Sequence, residues 1–286
     1  MSLILNLLLN GIALGSLIFL IAAGLTLIFG LMGVLNFAHG AIFIWGAYVG
    51  WATYGATGSF LLGILAGTAT GWLLGLVMER FFIRRVYSSH VAQILLTLGL
   101  MIVLTELIRV IFGPNILGFD KPEALQGVVT ILDDAFPIYR IFTIGIGLAV
   151  LIGVQYLLNR TKTGIIIRAG VQDPEMVQAL GINVRRVFSL VFAFGAALAA
   201  FGGVIAGPSF GSIHPDLGMM NQLSAFIVIV IGGIGNFLGA ALGALLVGVI
   251  QTFMGYYWPD VALAVNVAMM AIVLIARPQG IFGVKR

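Results

Sequence analysis

The chain reads as all-α: a polytopic transmembrane helical bundle of about eight to ten membrane segments, some of them broken or half-crossing. Three observations predict this class. No Asp, Glu, Lys or Arg occurs from Met1 to Met78, where His39 is the one histidine, and the stretch from Leu217 to Pro259 lacks all five residue types. Charged residues make up 8% of the 286 residues and hydrophobic ones 61%, with a mean hydropathy of +1.16; water-soluble domains carry about 25% charge. The basic residues gather at the edges of apolar runs instead of covering a surface. A Lys, Arg or Asp at a bilayer centre costs roughly 2.5–3.5 kcal/mol on an insertion scale, so the solvent that suits such a chain is lipid.

Apolar stretches fall at about 3–33, 37–57, 59–78, 91–112, 139–158, 188–208, 222–255 and 261–276, against the roughly 20 residues that a crossing needs. The first lacks the basic start of a cleaved secretory signal and is read as the opening membrane segment. A glycine-rich break, Gly30 to Phe37, separates it from the second. The third carries Gly63, Gly67, Gly71 and Gly75 on one helical stripe, which lets another backbone come close. Two readings of that ladder stand: a sliding or subunit interface, and ordinary packing within the chain. The fourth holds Glu106 and Arg109 near its outer end, three apart and so on one face, where pairing and snorkelling accommodate them.

Eleven of the 14 basic residues lie in three places. Arg80, Arg84 and Arg85 sit in Glu79–His90; Arg160, Lys162, Arg168, Arg185 and Arg186 in 159–187; Arg277, Lys285 and Arg286 in the tail. The 113–140 loop has Lys121 and Arg140 beside Asp120, Glu123, Asp133 and Asp134. The positive-inside rule therefore puts the three basic segments in the cytoplasm and the 113–140 loop outside. With the 159–187 loop and the tail on one side, an even number of crossings separates them. The 222–255 stretch must then be two short or half-crossing segments, broken at Gly232, Gly233, Ile234, Gly235 and Asn236. Each glycine there lowers helix stability by about 1 kcal/mol relative to alanine, and a break at membrane depth is tolerated only in protein or beside a wet cavity. The competing reading is one kinked helix with another segment miscounted.

The two breaks align at an offset of 200, matching Gly33, Asn36, Phe37 and Ala41 with Gly233, Asn236, Phe237 and Ala241. Paired glycine-interrupted segments in two halves point to a transport route. Asn36, Phe37, His39, Gly232, Gly233 and Asn236 are therefore the candidate translocation residues. The plain structural alternative has Asn36 capping a helix that starts at Phe37 and His39 bonding a nearby backbone carbonyl.

Catalysis finds no support. No phosphate loop surrounds Lys121, Lys162 or Lys285, and His39, His90 and His214 are scattered without metal-ligand spacing. The absence of cysteine excludes disulfides and thiolate sites. The net charge of +4 comes from membrane-edge residues with no aromatic-interleaved basic patch, so nucleic acid is not expected as a partner. No extramembrane stretch is long enough for a soluble domain, and residues 1–286 form a single membrane domain with a cytoplasmic loop at about 159–187.

That loop holds a short helix signal. Asp173 suits an N-cap, Pro174 the first helical position and Glu175 the positive end of the dipole. Met176, Val177 and Leu180 provide apolar side chains, and Gly181 can end the helix in a left-handed conformation. A helix of about two turns is marginal alone in water, so it docks either on its own membrane face or on a partner.

The runs GLTLIFGLMGVLNFAHGAIFIWGAYV (24–49), RAGVQDPEMVQALGINVRRV (168–187), VIVIGGIGNFLGAALGALLVG (228–248) and ARPQGIFG (276–283) resemble the permease subunits of branched-chain amino-acid ABC importers, the LivH type. The resemblance covers nearly the whole chain in order. It implies a multi-pass permease domain in a bacterial or archaeal inner (plasma) membrane. Such a permease pairs with a second homologous permease, usually as a heterodimer, and with two cytoplasmic ATPases and a periplasmic or extracellular solute-binding protein. ATP and Mg belong to the ATPases, and no cofactor is expected on this chain. The family's ATPase-coupling segment matches 168–187, which assigns coupling to Asp173, Pro174, Glu175, Met176, Val177, Leu180 and Gly181. Some relatives have an acidic residue where this chain has Ala41, and relatives also import urea, short amides and aromatic acids, so the solute stays open between these and branched-chain amino acids. The alternative from another class is a passive channel or facilitator for a small polar solute such as urea. A secondary carrier is disfavoured by the scarcity of intramembrane ionisable residues.

Overall fold

The computed structural model describes residues 2–131 and 134–283, with the side chains of Ser2, Ile131, Asp134, Val171, Gln172, Pro174, Glu175, Ala262 and Leu263 outside the description. Asp133, Lys285 and Arg286, used above to assign sidedness, also fall outside it. Among the described residues the chain forms eleven α-helices. They are α1 (Ser2–Met32), α2 (His39–Thr57), α3 (Phe60–Phe81), α4 (His90–Phe112), α5 (Ile138–Arg160), α6 (Lys162–Gln172), α7 (Pro174–Ala179), α8 (Val184–Phe210), α9 (Leu217–Gly232), α10 (Phe237–Tyr257) and α11 (Ala262–Ala276). Six are long and apolar enough to cross a membrane: α1, α3, α4, α5, α8 and α10. α2 and the shorter apolar helices α9 and α11 pack with these six, in keeping with a polytopic helical bundle that includes short segments. The predicted split of 222–255 is present: α9 ends at Gly232 and α10 starts at Phe237, capped by Asn236 Oδ1 on the Gly239 N–H at 2.9 Å.

The core is built on α1 and α8, whose middles are almost wholly buried, with α2, α3, α9 and α10 packed around them. The two broken helix pairs interlock antiparallel. α1 lies on α10 and α2 on α9, and the breaks meet where a Cβ on Gly30 would come within 2.5 Å of the Gly235 Cα. Small residues at such seams are what let helix backbones approach in lipid, where no hydrophobic force drives them together.

The glycine ladder of α3 is a seam of this internal kind. All four glycines are buried. Gly63 and Gly67 face Gly50 and Gly46 of α2, while Gly71 and Gly75 face Ala196, Ala197, Ala200 and Ala193 of α8. The subunit-interface reading of the ladder is thereby overturned: no room remains beside it for a second chain.

Two features went unseen in the sequence. The 113–140 loop is folded, with β1 (Leu117–Gly118) pairing antiparallel with β4 (Ser212–Ile213), and β2 (Val128–Ile131) forming a hairpin with β3 (Asp134–Pro137). Trp51 Nε1 donates to Gly118 O at 2.7 Å and Phe119 is buried against Gly207, which ties the loop to α2 and α8. The second is α6, an amphipathic helix ahead of α7, capped by Thr161 Oγ1 on the Gly164 N–H at 3.1 Å. The Glu106–Arg109 pair forms as expected at 2.5 Å, and Arg109 also reaches Asp216 at 2.6 Å.

Candidate functional site

The elbow between α5 and α8 is assembled from short capped pieces. α6 buries Ile167 against Val187 and Val191 of α8. Asp173 Oδ1 accepts the Met176 N–H at 2.9 Å and starts α7, with Pro174 in the first turn. Gly181 has φ +82°, and its N–H bonds Gln178 O at 2.9 Å while Ile182 N–H bonds Val177 O at 3.2 Å. That is a left-handed reversal at a position where a side chain is strained. Two residues later Asn183 Oδ1 caps α8 on the Arg186 N–H at 3.2 Å. Consecutive caps at Thr161, Asp173 and Asn183 leave little loose chain between α5 and α8.

The apolar side chains of α7 divide. Val177 is only 4% exposed, turned toward the α6 and α8 scaffold, whereas Met176 and Leu180 are 59% and 72% exposed. Val177 therefore anchors the helix to its own chain instead of offering itself to a partner groove. The outward apolar pair is Met176 and Leu180.

Above the elbow lies a buried polar knot that sequence reading missed. Glu79, near the end of α3, is fully buried. Its Oε1 accepts from Arg84 Nε at 3.2 Å and Tyr87 Oη at 2.8 Å, and its Oε2 from Arg84 Nη2 at 3.0 Å and Ser189 Oγ at 2.5 Å. A buried carboxylate needs such partners to be tolerated. Burial, and then the bond to Glu79, push the Tyr87 hydroxyl well above the usual phenol range, so it stays a neutral donor. Ser189 stands in the second turn of α8, just beyond the elbow, so the knot joins α8 to α3 and to the turn that leads into α4. Only the pairing of an acid at the end of one apolar run with an arginine five residues on hinted at it.

The candidate translocation residues lie at the two breaks. Leu35 O lies 3.3 Å from Thr97 Oγ1, about two turns into α4, which sets the first break roughly 10 Å along that helix from its N-terminal end. α2 begins at His39, not Phe37: Ala38 is its N-cap and Asn36 Oδ1 holds the Ala38 N–H at 3.1 Å. Phe37 is half-buried and stacks on Phe226 with ring centroids 4.9 Å apart. Asn36 and His39 are fully buried, and His39 Nε2 donates to Ile21 O at 3.1 Å, as the plain alternative expected. Asn36 Nδ2 and His39 Nδ1 have no partner among the described residues. Gln222 of α9 closes the break: its Nε2 donates to Asn36 O at 3.0 Å and its Oε1 takes the Gly40 N–H. Reading the sequence gave no sign of that clasp, because Gln222 lies 182 residues from Gly40.

At the second break Gly232 and Gly233 are buried, and Gly233 has φ +97°. The ARPQGIFG segment folds back over it. Ile281 N–H bonds Ile231 O and Asn236 Nδ2 donates to Phe282 O, both at 2.8 Å. Asn36 and His39 thus engage α1 and α9, Asn236 engages the tail, and among the described residues no hydrogen bond joins the two sets. No group of His, Cys, Asp or Glu among the described residues could hold a metal ion.

Comparison with known proteins agrees with this layout. Residues 7–275 match the family described as branched-chain amino acid transport system / permease component. Related proteins include the high-affinity branched-chain amino acid transport system permease protein LivH of Escherichia coli (strain K12), 32% identical over 301 residues covering 96% of this chain and 94% of the relative. BraD of Pseudomonas aeruginosa, of the same description, is 30% identical over 302 residues, 96% of this chain and 94% of its own. A probable LivH of Methanocaldococcus jannaschii is 27% identical, covering 94% and 89%. Among solved structures, PsaBC from Streptococcus pneumoniae in complex with Fab matches with a TM-score of 0.51 at 16% identity, over 93% of this chain and 89% of that one, which shows a shared fold alone. The apolar helical bundle with its six candidate spans and the match along nearly its whole length lead to one conclusion: this multi-pass membrane chain belongs to the branched-chain amino acid transport system permease components, the non-catalytic membrane subunits of ABC importers.

Proposed function

We propose that the chain forms half of a translocation path for branched-chain amino acids or related small polar solutes in a bacterial or archaeal inner (plasma) membrane. A second homologous permease supplies the other half as a heterodimer. Two cytoplasmic ABC ATPases bind ATP and Mg and drive the pair, and an external solute-binding protein delivers the solute. Asp173, Pro174, Glu175 and Gly181 shape the coupling element, Met176 and Leu180 contact the ATPase groove, and Val177 holds the element to its scaffold. Asn36, Phe37, His39, Gly232, Gly233 and Asn236 border the moving breaks.

The observation that carries this reading is the capped elbow. A six-residue helix that with its C-cap presents the exposed Met176 and Leu180, fixed at both ends, transmits a push that a loose loop would absorb. The names of the related proteins support the amino-acid class of solute. A passive facilitator has no use for such an element, and the comparisons lend that alternative no support. The test is purification of the tagged chain with its candidate ATPases. Stable co-purification, and solute uptake that needs hydrolysable ATP, are expected; uptake by the permeases alone at the same rate contradicts the reading.

A further inference from the structure

A crevice of about 170 Å³ lies between α1, α3, α5, α6 and α8. Its walls include Trp72 of α3, Leu157 of α5, Thr163 and Ile167 of α6, and Leu190 and Val191 of α8. Among the described residues, its polar side-chain groups are the Thr163 hydroxyl and the Trp72 indole N–H, and no charged side chain lines it. A zwitterion buried there would have both charges unpaired, so the space suits hydrocarbon. The crevice is also open, since Leu190 on its wall is 47% exposed.

Its depth matches one leaflet of a bilayer. Trp72 stands about 13 Å along the helix axis from Phe81, the last residue of α3. Half of a hydrocarbon core of about 30 Å is close to the same distance. Thr163, by contrast, follows directly on the end of α5 at Arg160. The crevice therefore runs from the headgroup level at the elbow to the middle of the membrane, which is the reach of a single acyl chain.

Cations stand at the elbow end of this crevice. Arg160 lies three residues past Leu157, and Arg186 four residues before Leu190. At those spacings each shares a helix face with its wall residue and sits about one turn nearer the elbow. Lys162 directly precedes Thr163, and all three cations are exposed. The stretch 159–172 also carries Arg168 and contains no Asp or Glu. The next acid in the chain, Asp173, has its carboxylate on the α7 cap. The positive-inside rule assigns this end to the cytoplasmic leaflet, where basic pockets between helices hold anionic headgroups.

We propose that the crevice is a binding site for an anionic phospholipid. One acyl chain fills the space between Trp72 and Ile167, and the headgroup phosphate meets Arg160, Lys162 and Arg186. Cations without a crevice would gather only a diffuse lipid layer, and a crevice without cations would take any lipid; together they select the anionic class. Ile167 and Val191 also form the seam that docks α6 on α8, so the bound chain braces the elbow from its membrane side.

The experiment uses the assembled importer in phosphatidylcholine nanodiscs that contain a rising fraction of phosphatidylglycerol brominated on its acyl chains. A parallel series uses brominated phosphatidylcholine. Bromine quenches indole fluorescence on contact, and the share of quenching lost in Trp72→Phe belongs to this crevice. Half-maximal quenching of Trp72 is expected at an about tenfold lower fraction of phosphatidylglycerol than of phosphatidylcholine. Arg160→Gln, Lys162→Gln and Arg186→Gln combined should bring the two series together. Amides of 162–172 should exchange more slowly in the wild type once phosphatidylglycerol is added. Coinciding series in the wild type mark ordinary surrounding lipid and overturn the proposal. So does a Trp72 that neither lipid quenches, because a protein chain of the assembly then covers the crevice. A preference that survives in the assembled triple variant overturns the headgroup assignment, and unchanged exchange overturns the bracing. The wild-type comparison needs no variant, so it decides even where the triple variant does not assemble.

Discussion

Single residues hold this membrane domain together where polarity is buried. Glu79 is the strictest case, because removing it leaves Tyr87 Oη and Arg84 Nε without their partner and Ser189 with only Arg84 and Arg185 O. Glu79→Ala is expected to destabilise the chain by about 2–3 kcal/mol, less than a wholly buried ion pair because Arg84 is partly exposed. Glu79→Gln, which keeps the shape and one acceptor, should cost less. Thermal unfolding in detergent ranks the two, and equal melting of both with wild type contradicts the knot. Gln222→Leu leaves the Gly40 N–H and Asn36 O unpaired in the core; a loss of about 1–3 kcal/mol is expected by the same measurement.

At the scale of elements, helix seams and caps divide what was legible from what was not. The long helices follow from uninterrupted apolar runs, and the α9/α10 break from charge parity plus three glycines. Asp173, Pro174 and Gly181 announced α7 and its reversal by residue type, since each is suited to one position of a helix end. By contrast α6 was hidden, because Gly164 and Gly170 weaken its helix signal and its stability comes from burying Ile167 on α8. The β1–β4 pair was invisible because its partners lie far apart in sequence and are too short to show a period. Likewise the clasp of Gln222 and the Glu79–Ser189 bond exist only once α2 meets α9 and α3 meets α8. The seam reading predicts a contrast between glycines. A Cβ on Gly75 would meet the Ala193 Cα at 2.8 Å, whereas one on Gly145 meets nothing within 4 Å. Gly75→Leu should therefore lower the yield of folded protein, with overpacking worth about 1–3 kcal/mol or more, and Gly145→Leu should leave it unchanged. Size-exclusion profiles after membrane extraction check both, and equal yields contradict the seam.

On the proposed reading, the whole molecule acts as a lever with its two ends on opposite sides of the membrane. Three basic segments place the elbow, the α3–α4 turn and the tail on the cytoplasmic side, and the folded 113–140 region outside. Because the chain has no cysteine, a single one at Thr163 reports sidedness directly. No labelling by an impermeant thiol reagent is expected in intact spheroplasts, and labelling there reverses the topology. Within that frame a displacement of α7 passes through Gly181 and Asn183 into α8, then by Ser189 and Glu79 to α3 and α4.

The central claim is that the α7 elbow converts ATPase closure into movement of the membrane helices, and its most direct test is one double variant. Asp173→Ala removes the cap, worth about 1 kcal/mol, and Gly181→Val forces a β-branched residue into a left-handed conformation at a further cost of about 1–2 kcal/mol. Uptake and ATP hydrolysis are measured on the same reconstituted complex. The account predicts a chain that still inserts, with uptake per ATP hydrolysed reduced on the order of tenfold, or with the ATPases no longer retained. Wild-type uptake and hydrolysis at normal subunit stoichiometry would contradict it.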